Sequence, residues 1–131
     1  MGGQNINVRP LRIFCVEDNP LIVLHIEQLL EATGQVFAGF ADSFAQVRRA
    51  VESAEIDGAL VDIDQTDGRT GPEIAVWLAE RGIPSILVTG QEDLAEQHAE
   101  VALDVIIKPI SADCLAEKIA LFRRKTGKVS G

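Results

Sequence analysis

The sequence contains no tyrosine, one tryptophan, one methionine and only two cysteines in 131 residues. Two cysteines cannot form the multi-bridge framework of a small secreted domain, and they make no CxxC metal pair. Cys15 lies inside an apolar run and Cys114 in a helical stretch, so both are expected to be small buried hydrophobes in a reducing cytoplasm. No apolar stretch approaches the roughly 20 residues a membrane helix needs, which argues against a membrane association. The opening Met1-Gly2-Gly3-Gln4-Asn5-Ile6 has no signal-peptide core, and Ile6 stands where N-myristoylation wants Ser or Thr. Basic residues are also scarce, 12 against 20 acids, and the net charge of −8 argues against direct nucleic-acid binding. Four of the twelve, Arg123, Arg124, Lys125 and Lys128, fall in the last nine residues, where they suit the negative pole of a closing helix.

What is present is the composition of a folded domain: 47% hydrophobic and 24% charged residues. The length allows one core and is too short for two. We divide it into an N-terminal extension over 1–10, a domain over 11–125 and a short basic tail over 126–131.

Strand and helix signals alternate along that domain. Leu11 to Val16 reads as a first strand, and Asn19-Pro20 opens a helix with Ile22, Ile26, Leu29 and Leu30 on one face, stopped by Gly34. Gln35 to Ala41 is a second strand. Ser43 with Gln46 makes a capping box for a helix that turns Phe44, Val47 and Val51 inward. Gly58 to Ile63 is a third strand, followed by a turn-rich loop from Asp64 to Gly71. Pro72 starts a helix carrying Ile74 and Leu78, which Gly82 ends, and Ile83 to Thr89 is a fourth strand. Glu92 to Ala102 is weakly helical without an apolar stripe. Asp104 to Ile107 is a fifth strand, and Ser111 caps a last helix with Leu115, Ile119 and Phe122 at i, i+4 and i+7. Such alternation predicts an α/β fold, a doubly wound five-stranded parallel sheet covered on both faces, which explains the continuously apolar strands. Order 2-1-3-4-5 would put strands 1 and 3 side by side at the switch point.

Each of four strands then delivers a polar group at its C-terminal end: Glu17-Asp18, Asp62, Thr89 and Lys108. Those ends share one edge of a parallel sheet. Crowded carboxylates repel, and a hard dication relieves them; Mg2+ takes oxygen ligands and keeps water. Asp18 and Asp62 are the expected direct ligands, with the main-chain carbonyl of Asp64 as a third and Glu17 acting through a water. Asp62 is also the candidate nucleophile, able to form an acyl phosphate. Thr89 would donate its hydroxyl to one phosphoryl oxygen and Lys108 its ammonium to another. A lone Asp after a strand is commonly a helix cap, and a Lys before Pro is commonly surface; four such groups in this order are a phosphoryl-transfer constellation.

Val16-Glu17-Asp18-Asn19-Pro20, Leu60-Val61-Asp62-Ile63, Val88-Thr89-Gly90 and Ile107-Lys108-Pro109 together resemble a response-regulator receiver domain of two-component signalling. The resemblance covers about Leu11 to Arg124 and implies a flavodoxin-like receiver fold. It further implies that Asp62 is the phosphoacceptor, Glu17-Asp18 the acidic pair, Thr89 the signalling hydroxyl and Lys108 the invariant-type lysine, with the Lys108-Pro109 bond often cis. The implied partners are a histidine kinase or histidine phosphotransfer protein upstream and a downstream protein target. The implied activity is self-phosphorylation and self-dephosphorylation rather than enzymatic turnover. Two departures stand out. Receivers usually carry Tyr or Phe three residues before the lysine, and Val105 stands here. The stretch from Thr89 to Lys108 is also short, which with Thr89-Gly90 and the Gly-containing loop after Asp62 looks like the FAT GUY receivers of alphaproteobacteria. No effector domain fits after Arg124, so the chain is either a stand-alone receiver or a piece of a larger regulator.

Two other readings compete. Asp62-Ile63-Asp64-Gln65-Thr66 spells DxDxT, the nucleophile motif of haloacid-dehalogenase-like phosphatases, but on the third strand rather than the first. Alternatively, Val105 and the weak fourth helix fit a receiver-like binding module that signals without phosphate.

Overall fold

A computed structural model describes residues 9–64 and 70–126. The expectations for the first eight residues, for Gln65, Thr66 and Asp67, and for the tail beyond Thr126 with Lys128 lie outside the described residues. The elements run β1 (Arg12–Val16), α1 (Pro20–Ala32), β2 (Val36–Ala41), α2 (Phe44–Ser53), β3 (Gly58–Asp62) and α3 (Thr70–Glu80). They continue with β4 (Ser85–Thr89), α4 (Glu92–His98), a 3-10 turn (Ala99–Val101), β5 (Asp104–Ile107) and α5 (Ala112–Thr126). All strands are parallel, in the order β2-β1-β3-β4-β5. The fold class and strand order expected from the sequence are those observed.

Period-two alternation sends strand side chains to two separate cores. Ile13, Cys15, Leu60, Ile86 and Val88 meet Ile26 and Leu30 of α1 and Leu115, Ile119 and Phe122 of α5 on one face. Phe14, Val16, Val61 and Leu87 meet Val47 of α2 and Ile74 and Leu78 of α3 on the other. At Gly58 an added Cβ would stand 2.6 Å from the Phe122 ring, so glycine is what lets α5 lie against β3.

The caps match the sequence closely. Leu21 donates its N–H to Asn19 Oδ1, Gln46 donates to Ser43 Oγ and Cys114 donates to Ser111 Oγ. The Gln46 amide oxygen accepts from Asp42 N–H rather than from Ser43, so the box closes one residue early. Helix α3 starts at Thr70, two residues before the expected Pro72, because a proline in the first turn has no intrahelical donor to lose. Cys114 is only partly buried, a correction to its expected place in the core, whereas Cys15 is fully buried. Helix α4 is seven residues long with no buried residue, the weak element its sequence implies. Among the described residues no helix is long and apolar enough to cross a membrane.

Candidate functional site

The register of the sheet assembles the polar strand ends. Val16 pairs with Val61, Asp62 with Val88 and Thr89 with Ile107, so Glu17, Asp62, Thr89 and Lys108 emerge along one edge. Backbone bonds continue the pairing past the strands: Glu17 N–H donates to Ala41 O at 2.9 Å, and Lys108 N–H to Thr89 O at 2.8 Å. The Lys108-Pro109 bond is cis.

Asp62 is 4% exposed, and its Oδ2 lies 2.7 Å from Lys108 Nζ. Its Oδ1 accepts the N–H of Asp64 at 2.7 Å. At Gly71 an added Cβ would come within 3.0 Å of the Asp62 carbonyl oxygen and 2.8 Å of the Ile63 side chain. The first turn of α3 can therefore press on the end of β3 only without a side chain there.

Glu17 is buried beside Asp62. Its Oε1 accepts the Asn19 N–H at 3.0 Å, while its Oε2 has no hydrogen-bond partner among the described residues. Burial pushes the Glu17 carboxyl up to about 8, and the neighbouring Asp62 adds to the push. Burial, Glu17 and Asp62 likewise drive the Cys15 thiol far above its ordinary value, so this cysteine is inert. Asp18 is exposed at the mouth of the site. Among the described residues no three acidic, His or Cys side chains converge into a ready-made metal cage. The donors nevertheless fit a hard dication that keeps several waters: two buried carboxylates, one of them with an unpartnered oxygen, and a third acid facing solvent.

Asp64 is expected from the sequence to offer a main-chain carbonyl to a cation, and beside that its carboxylate turns into the site. Thr89 Oγ1 donates to Asp64 Oδ1, Gly90 N–H donates to Oδ2 at 2.7 Å, and Lys108 Nζ lies 3.2 Å from Oδ2. Burial alone would raise the Asp64 carboxyl; Thr89, Gly90 and Lys108 outweigh it and hold it below the usual carboxylate range. Asp64 is thus ionised at neutral pH, which does not suit the general-acid role that DxDxT would give it. Thr66 of that motif lies outside the described residues. Burial would lower the Lys108 ammonium, but Asp62 and Asp64 together hold it above its ordinary value. The signal in the sequence for the Asp64 carboxylate, as distinct from its main-chain carbonyl, is a second acid two residues after the strand-ending one.

Beside Lys108 is an apolar cavity of about 340 Å³ lined by Ile22, His25, Lys108, Pro109 and Ile110. On the same helix as Ile22 and His25, Leu21 and Leu24 are exposed.

The family model described as Response regulator receiver domain matches residues 13–120. A sensor protein, GacS of Pseudomonas syringae pv. syringae, is 31% identical over 126 residues, covering 89% of this chain. The chain spans only 14% of the length of that relative. The solution structure of the BeF3-activated conformation of SdrG from Pseudomonas melonis Fr1 superposes with a TM-score of 0.71 at 32% identity, covering 83% of this chain and 92% of that one. A CheY-like receiver domain protein from Methanospirillum hungatei superposes with a TM-score of 0.76 at 25% identity, covering 92% and 99%.

Proposed function

The chain belongs to the response regulator receiver domain family, and from that premise we propose that it takes a phosphoryl group from a phosphohistidine onto Asp62. The observation that carries this reading is the ion pair of the buried Asp62 carboxylate with Lys108, flanked by Glu17, Thr89 and Asp64 on one sheet edge. A carboxylate oxygen of Asp62 attacks phosphorus, the O–P bond forms, the P–N bond breaks and the imidazole of the donor histidine leaves. Lys108 pairs with the Asp62 carboxylate and lies where charge on the transferring group is offset. The Thr89 hydroxyl is the donor for a second phosphoryl oxygen. Asp18, Asp62 and the main-chain carbonyl of Asp64 would hold Mg2+, with Glu17 acting through a water. When bound, the metal supplies charge neutralisation for the carboxylates and the phosphoryl group.

The donor is a histidine kinase or histidine phosphotransfer protein. The exposed Leu21 and Leu24, and the apolar cavity beside Lys108, give such a partner an apolar surface next to the nucleophile. The output is a protein contact, and the signalling is cytoplasmic. Likeness to SdrG, the Thr89-Gly90 pair and the short helix α4 support a FAT GUY-type subgroup. Val105, with no aromatic ring to reposition, favours a second reading, a binding module independent of phosphate.

The test is incubation with phosphoramidate or acetyl phosphate and Mg2+, then borohydride trapping and peptide mapping. Stoichiometric label at Asp62, absent in Asp62→Asn, is expected. Label at Asp64 or Asp67 instead would remove the assignment, and no label at all would leave the phosphate-independent reading. Continuous turnover of a phosphate ester would mark a phosphatase.

A further inference from the structure

We propose that the Asp64 carboxylate is an internal stand-in for the phosphoryl group, seated in the oxyanion cradle that phospho-Asp62 would use and competing with it. The proposal rests on the reading of Asp62 as phosphoacceptor and adds a regulator of that same site. The turn after β3 is fixed by the Asp64 N–H bond to Asp62 Oδ1, which leaves the Asp64 side chain free to head toward the β4–α4 turn. There its two oxygens meet three donors of different kinds. Thr89 gives a hydroxyl to Oδ1, Gly90 gives a backbone N–H to Oδ2 at 2.7 Å, and Lys108 brings an ammonium to 3.2 Å from Oδ2. The Gln91 side-chain amide adds a long contact of 3.5 Å to Oδ1. The Thr89 hydroxyl is fixed from its other side by accepting the Gln91 N–H at 3.0 Å.

Hydroxyl, amide N–H and ammonium converging on paired anionic oxygens are what a phosphoryl group on the adjacent Asp62 needs. Lys108 makes the adjacency explicit, since one ammonium touches both carboxylates. A carboxylate carries one charge where a phosphoryl group carries nearly two, so it fills the cradle but holds it less strongly. Asp64 must therefore withdraw before phosphate can be held, which makes it a brake on phosphorylation. The cradle is also shaped in advance, so Thr89 is already drawn in before any phosphate arrives.

The full chain tests both. Wild type, Asp64→Ala and the size-preserving Asp64→Asn are treated with phosphoramidate and Mg2+, and separately titrated with beryllofluoride. Asp64→Ala is expected to take label at Asp62 faster by about tenfold or more, tenfold being the low end of what a single hydrogen bond to a charged group is worth. Asp64→Asn should fall between. The Gly90 amide proton supplies a readout that a change in stability alone would not move. It should resonate downfield in resting wild type, upfield in Asp64→Ala, and downfield again when beryllofluoride replaces the missing carboxylate. A folded Asp64→Ala that labels no faster than wild type, or a Gly90 amide that the substitution leaves unmoved, overturns the proposal. A wild type that takes no label and binds no beryllofluoride overturns instead the phosphoacceptor reading; the Gly90 shift between wild type and Asp64→Ala then still decides whether Asp64 fills the cradle.

Discussion

Lys108 Nζ lies 2.7 Å from Asp62 Oδ2, and the carboxylate it faces is almost fully buried. Removing one partner of a buried pair leaves the other charge desolvated and unmatched. Lys108→Met should therefore lower the free energy of unfolding by about 2–4 kcal/mol in metal-free buffer, read by urea denaturation monitored through Trp77. The same substitution should slow labelling of Asp62 by small phosphodonors. Unchanged stability would mean that Glu17 and Asp62 share their charge in some way that does not need the ammonium.

Glu17 gives the metal prediction its sign. Its carboxyl titrates near 8 in the folded chain against an ordinary 4.5, so the folded state binds more protons than the unfolded one across that interval. Metal-free protein should accordingly lose stability as pH rises from about 4.5 to about 8, and Glu17→Gln should flatten the slope. Mg2+ favours the ionised acids, so its stabilising effect should grow as pH rises through the same window. Asp18→Ala should lower the Mg2+ affinity read from that effect by about tenfold or more. Thermal shifts with EDTA and with Mg2+ across this range measure both. A flat profile in EDTA would contradict the burial argument, and full Mg2+ affinity in Asp18→Ala would contradict the ligand choice.

A second ion pair, away from the site, tests the same reasoning where no metal enters. Lys118 Nζ donates to Asp104 Oδ2 at 2.7 Å, tying α5 to β5. Burial tends to raise the Asp104 carboxyl, but Lys118 and the Val105 N–H outweigh it and hold it low. Asp104 chiefly raises the Lys118 ammonium. The contribution of Asp104 is thus complete above the ordinary carboxylate range and lost as pH falls through the lowered folded value. That of Lys118 is complete below its ordinary range and lost as pH rises through the raised folded value. Because Asp104 is 40% exposed, the pair should be worth about 0.5–1 kcal/mol in a double-mutant cycle at neutral pH. A coupling that persists at pH 2 would show that packing, not charge, joins the two.

Strand positions were legible because the parallel sheet is covered on both faces, so Ile13–Val16, Ala59–Val61 and Ile86–Val88 read as unbroken apolar runs. Their ends named Glu17, Asp62, Thr89 and Lys108 because a polar group closing an apolar run stands out where the chain is still buried, as the first three are. Asp64 was legible as a main-chain ligand and as part of DxDxT, while the direction of its carboxylate was not. A turn residue's side chain is aimed by one backbone bond, here its N–H to Asp62 Oδ1, and no periodicity encodes that. Cys114 was misread as buried because helical spacing alone does not say how far a flank is tucked in. The start of α3 was missed because Pro72 is as compatible with the third helical position as with the first.

Phosphorylation of Asp62, as proposed, would have to be reported without an aromatic switch, since Val105 stands three residues before Lys108. Val105 is partly buried and, like Leu94, Val101 and Ala102, packs against the core on the α2–α3 face of the sheet. A β-branched side chain has few rotamers and no ring to hide or expose, so it cannot itself carry a large rearrangement. Helix α4 is the softer partner: seven residues, no buried side chain and no side-chain bond at its N-terminal cap. Such a segment opens locally at low cost. Gly90 and Gln91, at its entrance, already make their bonds to Asp64 and Thr89 in the resting chain. Replacement of that carboxylate by the doubly charged group on Asp62 should tighten the entrance and make α4 and the 3-10 turn open less often. Hydrogen exchange with and without beryllofluoride should show protection rising across residues 92–104 more than elsewhere, with Gly90 and Gln91 protected in both states. Equal protection of residues 92–104 in the two states would exclude this route and shift the output to the α1 surface beside Lys108.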